Sequence, residues 1–116
     1  MLYLNGTSPH APKRYFEPLV LKSLPEDRGL YFPKNIPTFS TRQIEQLKAV
    51  SLPELGFEIM RPFVEGVIPE DRLAQIIEEV LDFHIPLIQL SDSNAVLELF
   101  HGPTYAFKDV GARFLA

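Results

Sequence analysis

The chain has 116 residues, 46% of them apolar, with 9 Phe and 4 Tyr, so it can bury one modest core and fits a small domain or a piece of a larger one. A net charge of −4, from 15 acidic and 11 basic residues with the basic ones scattered, argues against a nucleic-acid partner. The absence of cysteine removes disulfides, thiolate catalysis and sulfur-ligated zinc, and no run approaches the roughly 18 apolar residues of a membrane span or carries a signal peptide's cationic start. A soluble cytoplasmic protein is the expectation.

Met1 to Leu4 reads as a short opening strand, and Asn5 to Pro12 as a polar connector in which Gly6, Pro9 and Pro12 forbid a continued ladder. Phe16, Leu19, Val20 and Leu24 recur at helical spacing, with Pro18 tolerable only in a first turn. Pro25 to Gly29 is a turn. Leu30-Tyr31-Phe32, ended by Pro33, reads as a short core strand.

Ser40-Thr41-Arg42-Gln43 has the form of a capping box, in which the serine accepts from the third helical N–H while the glutamine reaches back. Ile44, Leu47 and Val50 would form its buried stripe. Ser51-Leu52-Pro53-Glu54 repeats the box, so a second helix is expected to about Glu65, burying Leu55, Ile59, Met60 and Phe63, with Pro62 kinking or ending it. Pro69-Glu70-Asp71 is a third start, proline at the first helical position and acids in the first turn, leading into Leu73, Ile76, Ile77, Val80 and Leu81. The acids Glu78, Glu79 and Asp82 would be its solvated face.

From Phe83 the character changes. Pro86 to Leu90 and Val96 to Phe100 are short, branched and apolar, joined by the turn residues Ser91-Asp92-Ser93-Asn94, and read as two strands. If Leu97 and Leu99 face inward, Glu98 faces solvent or another domain. The composition change sets a boundary near residues 82 to 85, between a helical domain over 1–83 and a second unit over 84–116. Val110 to Ala116 is apolar and helix-like without a capping glycine or closing turn, and reads as an element of a larger protein.

Gly102-Pro103 stops the second strand, and Lys108 falls at the start of this last helix. The positive end of a helix dipole disfavours an ammonium and favours the neutral amine that attacks a carbonyl; the alternative is a solvated lysine in a first turn. No glycine-rich loop precedes Lys108, and Asp109 follows it rather than Ser or Thr, which excludes a P-loop. Asp109 reads as a helix-start carboxylate and Thr104 as a cap or a cofactor contact. His10, His84 and His101 are too far apart in sequence for a metal set, and His101 either packs at the turn or enters a substrate pocket.

The block Leu97-Glu98-Leu99-Phe100-His101-Gly102-Pro103-Thr104, followed by Ala106-Phe107-Lys108-Asp109, resembles the segment carrying the cofactor lysine in threonine synthases, with Tyr105 where Leu is more usual. Arg28 to Pro33 matches the same family's early G-L-[FY]-x-P element, and Met1 to Leu4 its opening strand. The resemblance implies an α/β fold: the N-terminal part of a tryptophan-synthase-like, fold type II enzyme, mostly helical with short strands here. It implies pyridoxal 5'-phosphate as cofactor, Lys108 as its Schiff-base lysine, and conversion of O-phosphohomoserine and water into threonine and phosphate. The cofactor-phosphate loop and substrate-carboxylate loop it also implies do not occur between Lys108 and Ala116. Two other readings stand beside it: a non-catalytic helical interaction module in which Lys108 is incidental, and a related pyridoxal-phosphate enzyme acting on another amino acid. Oligomeric state is not legible.

Overall fold

Two serines decide where the helical part of the chain is cut. In the computed structural model, which describes residues 1–8, 10 and 14–116, Ser40 and Ser51 each close a reciprocal capping box. The Ser40 N–H donates to Gln43 Oε1 at 2.9 Å and opens a helix over Thr41–Leu47; the Ser51 N–H donates to Glu54 Oε2 at 2.8 Å and opens a longer one over Leu52–Val64. In chain order the elements are β1 (Tyr3–Asn5), α1 (Phe16–Lys22), β2 (Tyr31–Pro33), α2 (Thr41–Leu47), α3 (Leu52–Val64), α4 (Glu70–Val80), β3 (Leu87–Ser91), β4 (Asn94–Leu97) and α5 (Asp109–Leu115). Pro18 lies in the first turn of α1, where its missing N–H costs nothing, and α3 runs only two residues past Pro62. Gly66, at φ 75°, then reverses the chain into α4. Pro69 is the N-cap of α4, one residue earlier than the first helical position expected, and Glu70 and Asp71 occupy the first turn as foreseen.

The core forms where α3 and α4 cross. Leu73, Ile77 and Val80 repeat at i, i+4 and i+7 along one face of α4 and are all buried. Val64, with no exposed surface, seals the cluster with Leu73 and Ile77, and Phe16, Phe57, Met60, Phe63, Ile68, Leu81 and Phe114 pack around it. Val64 was not among the expected core residues of α3. Contact concentrates at the end of α3 because Gly66 folds the chain back there, so Met60 and Phe63 are half-buried and Ile59 is exposed along a groove.

Several expected apolar faces stay uncovered. No residue of α2 is fully buried; of the stripe that its spacing suggested, Leu47 is half-buried while Ile44 is 50% exposed and Val50 is exposed too. In α1 only Leu19 is buried. Ser23, at φ 62°, ends that helix and carries Leu24 off its face. β1 and β2 pair antiparallel, Leu4 opposite Phe32, but they form a two-stranded sheet in which Leu30 and Phe32 remain exposed, so β2 is not a core strand.

β3 and β4 form an antiparallel hairpin, with Ile88 opposite Val96, Gln89 opposite Ala95 and an irregularity before Ser91. The tight turn recruits Asn94 and Ala95 into pairing, so β4 starts two residues before Val96 and ends at Leu97. Every residue of both strands is exposed, Leu87 and Leu90 at 66% each. Leu97 therefore does not face a core, and Leu99, beyond the ladder, is only half-buried.

The last helix returns to the first core. Arg113 of α5 donates to the Val80 carbonyl at 3.2 Å and grips both oxygens of Asp82, while Phe114 packs on the core cluster. Asp82 is thus an ion-pair partner rather than a merely solvated acid; Glu78 and Glu79 are exposed as expected. Among the described residues no helix is long and apolar enough to cross a membrane.

Candidate functional site

The backbone between His101 and Asp109 is a wired turn. Pro103 cannot donate to a ladder, and the chain bends so that the Tyr105 N–H meets the Gly102 carbonyl at 3.1 Å. Tyr105 holds the left-handed conformation, φ 57°, which is uncommon for a residue with a side chain. The Asp109 N–H then donates to the Ala106 carbonyl at 3.1 Å, and the Lys108 carbonyl accepts from the Ala112 N–H at 2.9 Å, starting α5. Lys108 is the N-cap, with helical φ −72° and ψ −14°.

Lys108 is exposed, its Nζ 5.9 Å from the centroid of the Phe107 ring, at the outer limit of a cation–π contact. Among the described residues no carboxylate forms an ion pair with it. The amine stands free on a fixed backbone.

Asp109 does more than sit in a helix's first turn. Only 4% exposed, its carboxylate accepts the Thr104 N–H at 2.9 Å and the Thr104 hydroxyl. Those two bonds, the hydroxyl first, hold its pKa below the usual carboxylate range. Thr104 therefore does not cap α5; its hydroxyl donates to the side chain of the first helical residue instead. Gly102 is needed against this carboxylate, because a methyl group there would lie 2.9 Å from Asp109 Cβ.

His101 Nε2 lies 2.7 Å from Glu98 Oε2, and its ring lies tilted against that of Phe100, centroids 4.7 Å apart. Glu98, expected to face solvent or another domain, is half-buried and orients this histidine. Lys108, Thr104 and His101 thus share one turn, while His10 and His84 lie elsewhere. Among the described residues no three metal-ligating side chains cluster.

A second polar centre went unread in the sequence. The turn over 25–29 is organised by Asp27, which accepts from Asn5 Nδ2 at 3.0 Å, Thr7 Oγ1 at 2.7 Å, Ser8 Oγ at 2.8 Å and the Gly29 N–H at 3.1 Å. These bonds, Thr7 contributing most, hold its carboxyl far below the ordinary range. The only available signal was an Asp two residues before a glycine that a polar Asn-Gly-Thr-Ser stretch could reach.

Comparison with known proteins adds three findings. The family model described as the threonine synthase N terminus matches residues 3–81. The threonine synthase of Pseudomonas aeruginosa is 42% identical over 120 residues, covering 99% of this chain and 25% of the relative; that of Schizosaccharomyces pombe is 41% identical over 106 residues, covering 86% and 21%. Among solved structures, the pyridoxal-phosphate-bound threonine synthase of Brucella melitensis superposes with a TM-score of 0.91 at 38% identity, over 99% of this chain and 26% of that one. The Escherichia coli threonine synthase does so at 0.90 and 31%, over 99% and 27%. The chain spans about a quarter of the length of the curated relatives it matches. Its α/β fold is the N-terminal part of theirs, the fold that the resemblance implied.

Proposed function

The chain belongs to the threonine synthase family, and on that premise we propose that it supplies the cofactor-anchoring lysine of an enzyme converting O-phosphohomoserine and water into threonine and phosphate. The observation that carries this reading is Lys108: an exposed primary amine, unpaired with any described carboxylate, on a turn whose backbone is hydrogen-bonded on both sides. Those features fit pyridoxal 5'-phosphate, whose aldehyde condenses with an accessible amine. Bound there, the cofactor supplies an electron sink for carbanion chemistry on an amino acid.

The chain's own residues divide the remaining work. Lys108 Nζ would hold the cofactor, and the same amine would carry protons to and from the substrate carbons. His101, fixed by Glu98, is the side chain of this turn assigned to the substrate. The Thr104 hydroxyl already donates its proton to Asp109, so donating to a cofactor phosphate would cost that bond; its role is to hold the turn. Residues 1–83 act as the N-terminal helical domain and 84–116 as the start of the catalytic domain, in a cytoplasmic lyase. The helix α4 spends its apolar face on the chain's own core, which disfavours interaction through that face.

Lysines that exchange protons near neutral pH are enclosed. Lys108 is exposed within these 116 residues, so the chain alone is expected to release no threonine from phosphohomoserine. The test uses a chimera in which the chain replaces the matching first quarter of the Pseudomonas aeruginosa enzyme. Lys108→Ala should abolish the visible absorption of lysine-bound cofactor and nearly all turnover. Lys48→Ala, at an exposed lysine paired with Glu45 at 2.7 Å, should leave both intact. A Lys108→Ala chimera that kept the visible band would place the anchor elsewhere.

A further inference from the structure

A carboxylate in a helix's first turn complements the dipole equally well when solvated. Burial is a cost that such a role does not require. Asp109 is nevertheless buried, and its two oxygens are spent on one residue, Thr104, five positions back across the turn. The same carboxylate lies against Gly102, where no side chain fits. Three further bonds complete the circuit: Tyr105 N–H to Gly102 O, Asp109 N–H to Ala106 O and Ala112 N–H to Lys108 O. α5 is in turn tied to the end of α4 by Arg113, through the Val80 carbonyl and Asp82.

Lys108 sits between these anchors. Its Cα is about 3.8 Å from that of Asp109 across a planar peptide, so whatever fixes Asp109 fixes the direction in which the lysine leaves the backbone. Among the described residues the side chain itself is held by nothing stronger than the edge of a cation–π contact. The backbone is preset and the amine is left mobile, an arrangement suited to a lysine that must first hold a group and then swing away to move protons. We propose that Asp109 is a positioning residue for Lys108: its carboxylate latches the Gly102–Thr104 turn to the start of α5 and so aims the amine at the cofactor aldehyde. This inference rests on the reading of Lys108 given above.

Two measurements test it. In the 116-residue chain, amide hydrogen exchange by NMR should show the Thr104, Asp109 and Ala112 N–H groups exchanging at least tenfold faster in Asp109→Ala, while the N–H of Leu81, the C-cap of α4, which donates to the Ile77 carbonyl, is unchanged. In the chimera, brief exposure to pyridoxal 5'-phosphate followed by borohydride trapping and peptide mapping should show the adduct on Lys108 reduced at least tenfold in Asp109→Ala. Thr104→Val should reduce it several-fold, and Thr104→Ser, which restores the hydroxyl, should recover it. The proposal is overturned if the adduct yield in Asp109→Ala stays within twofold of the parent, if only the Thr104 N–H accelerates, or if Leu81 accelerates with the rest, which would make Asp109 a general stability residue. A parent chimera labelled on another lysine overturns the Lys108 reading and this inference with it. That failure is told apart because it occurs without any substitution. Should the Asp109→Ala chimera fail to assemble, the exchange pattern in the chain decides.

Discussion

The α3–α4 pair and the β3–β4 hairpin are both rich in branched apolar residues, yet one is dry inside and the other is exposed at every position. The difference is one of partners. Val64, Leu73 and Ile77 meet one another and Phe114 within these 116 residues, whereas Leu87, Leu90 and Leu97 find no covering layer among the described ones. Apolar side chains so exposed mark a surface awaiting a partner, and about three quarters of each matched threonine synthase lies outside the stretch this chain covers. Composition alone says that a segment is buried in some final assembly; it does not say by what.

The largest expected effect tests that contrast. Ile77→Ala removes a side chain from the centre of the core and should cost about 2 to 5 kcal/mol in chemical denaturation, the sum of lost transfer energy and an unfilled cavity. Ile76, half-buried at the rim, should cost less on the same substitution. Leu90→Ala, at an exposed site, should change stability by no more than about 0.5 kcal/mol. A Leu90→Ala chain as damaged as Ile77→Ala would mean that the hairpin is covered in solution, by a second copy or otherwise, and the contrast would fail.

What the sequence revealed follows the range of the interactions involved. Both capping boxes, the acids opening α4 and the hairpin turn depend on residues within four positions of each other, and all were legible. Val64 was not, because its burial depends on where Gly66 sends the chain. Nor was the exposure of Ile44, since a stripe at helical spacing states a preference without supplying the opposing surface. At the candidate site the motif singled out Lys108 and the turn before it. The Asp109–Thr104 bonds were not, because a turn over five residues has no fixed periodicity from which to read them. The Arg113–Asp82 pair spans 31 positions and lay beyond any local rule.

The two serine caps sharpen the comparison, being chemically alike and differently supported. Ser51→Ala should cost about 1 kcal/mol of global stability, because α3 is part of the core and cannot fray without exposing it. Ser40→Ala removes the matching hydroxyl bonds from α2, in which no residue is fully buried. Its loss should appear as faster local amide exchange in residues 41–47 with the global midpoint unmoved. Equal shifts in midpoint for both variants would show that α2 is coupled to the core after all.

Acid should produce the smallest and most local effect, separating the polar N-terminal turn from the apolar core. The Asp27 carboxyl is held far below the usual range, first by the Thr7 hydroxyl and then by Ser8, Asn5 and the Gly29 N–H. A carboxyl that titrates lower in the folded chain than in the unfolded one, where its pKa is about 3.9, makes the unfolded state bind more protons between the two values. Its contribution is therefore fully present above about pH 5 and drains away as the pH falls through 4 toward the folded value. Asp109 and Asp82 are shifted in the same direction, by Thr104 and Arg113 respectively, so the α5 contact should loosen with the same sign. No titrating group belongs to the Val64–Leu73–Ile77 cluster, which should hold while these carboxylates protonate. NMR exchange of the Gly29 and Thr104 N–H groups, followed from pH 6 to 3 beside that of Leu81, would register this order. In Asp27→Asn the Gly29 signal should already be labile at pH 6 and change little on acidification. If Leu81 loses protection at the same pH as Gly29 in the unsubstituted chain, the polar turn and the core are one cooperative unit, and the distinction between them has no thermodynamic content.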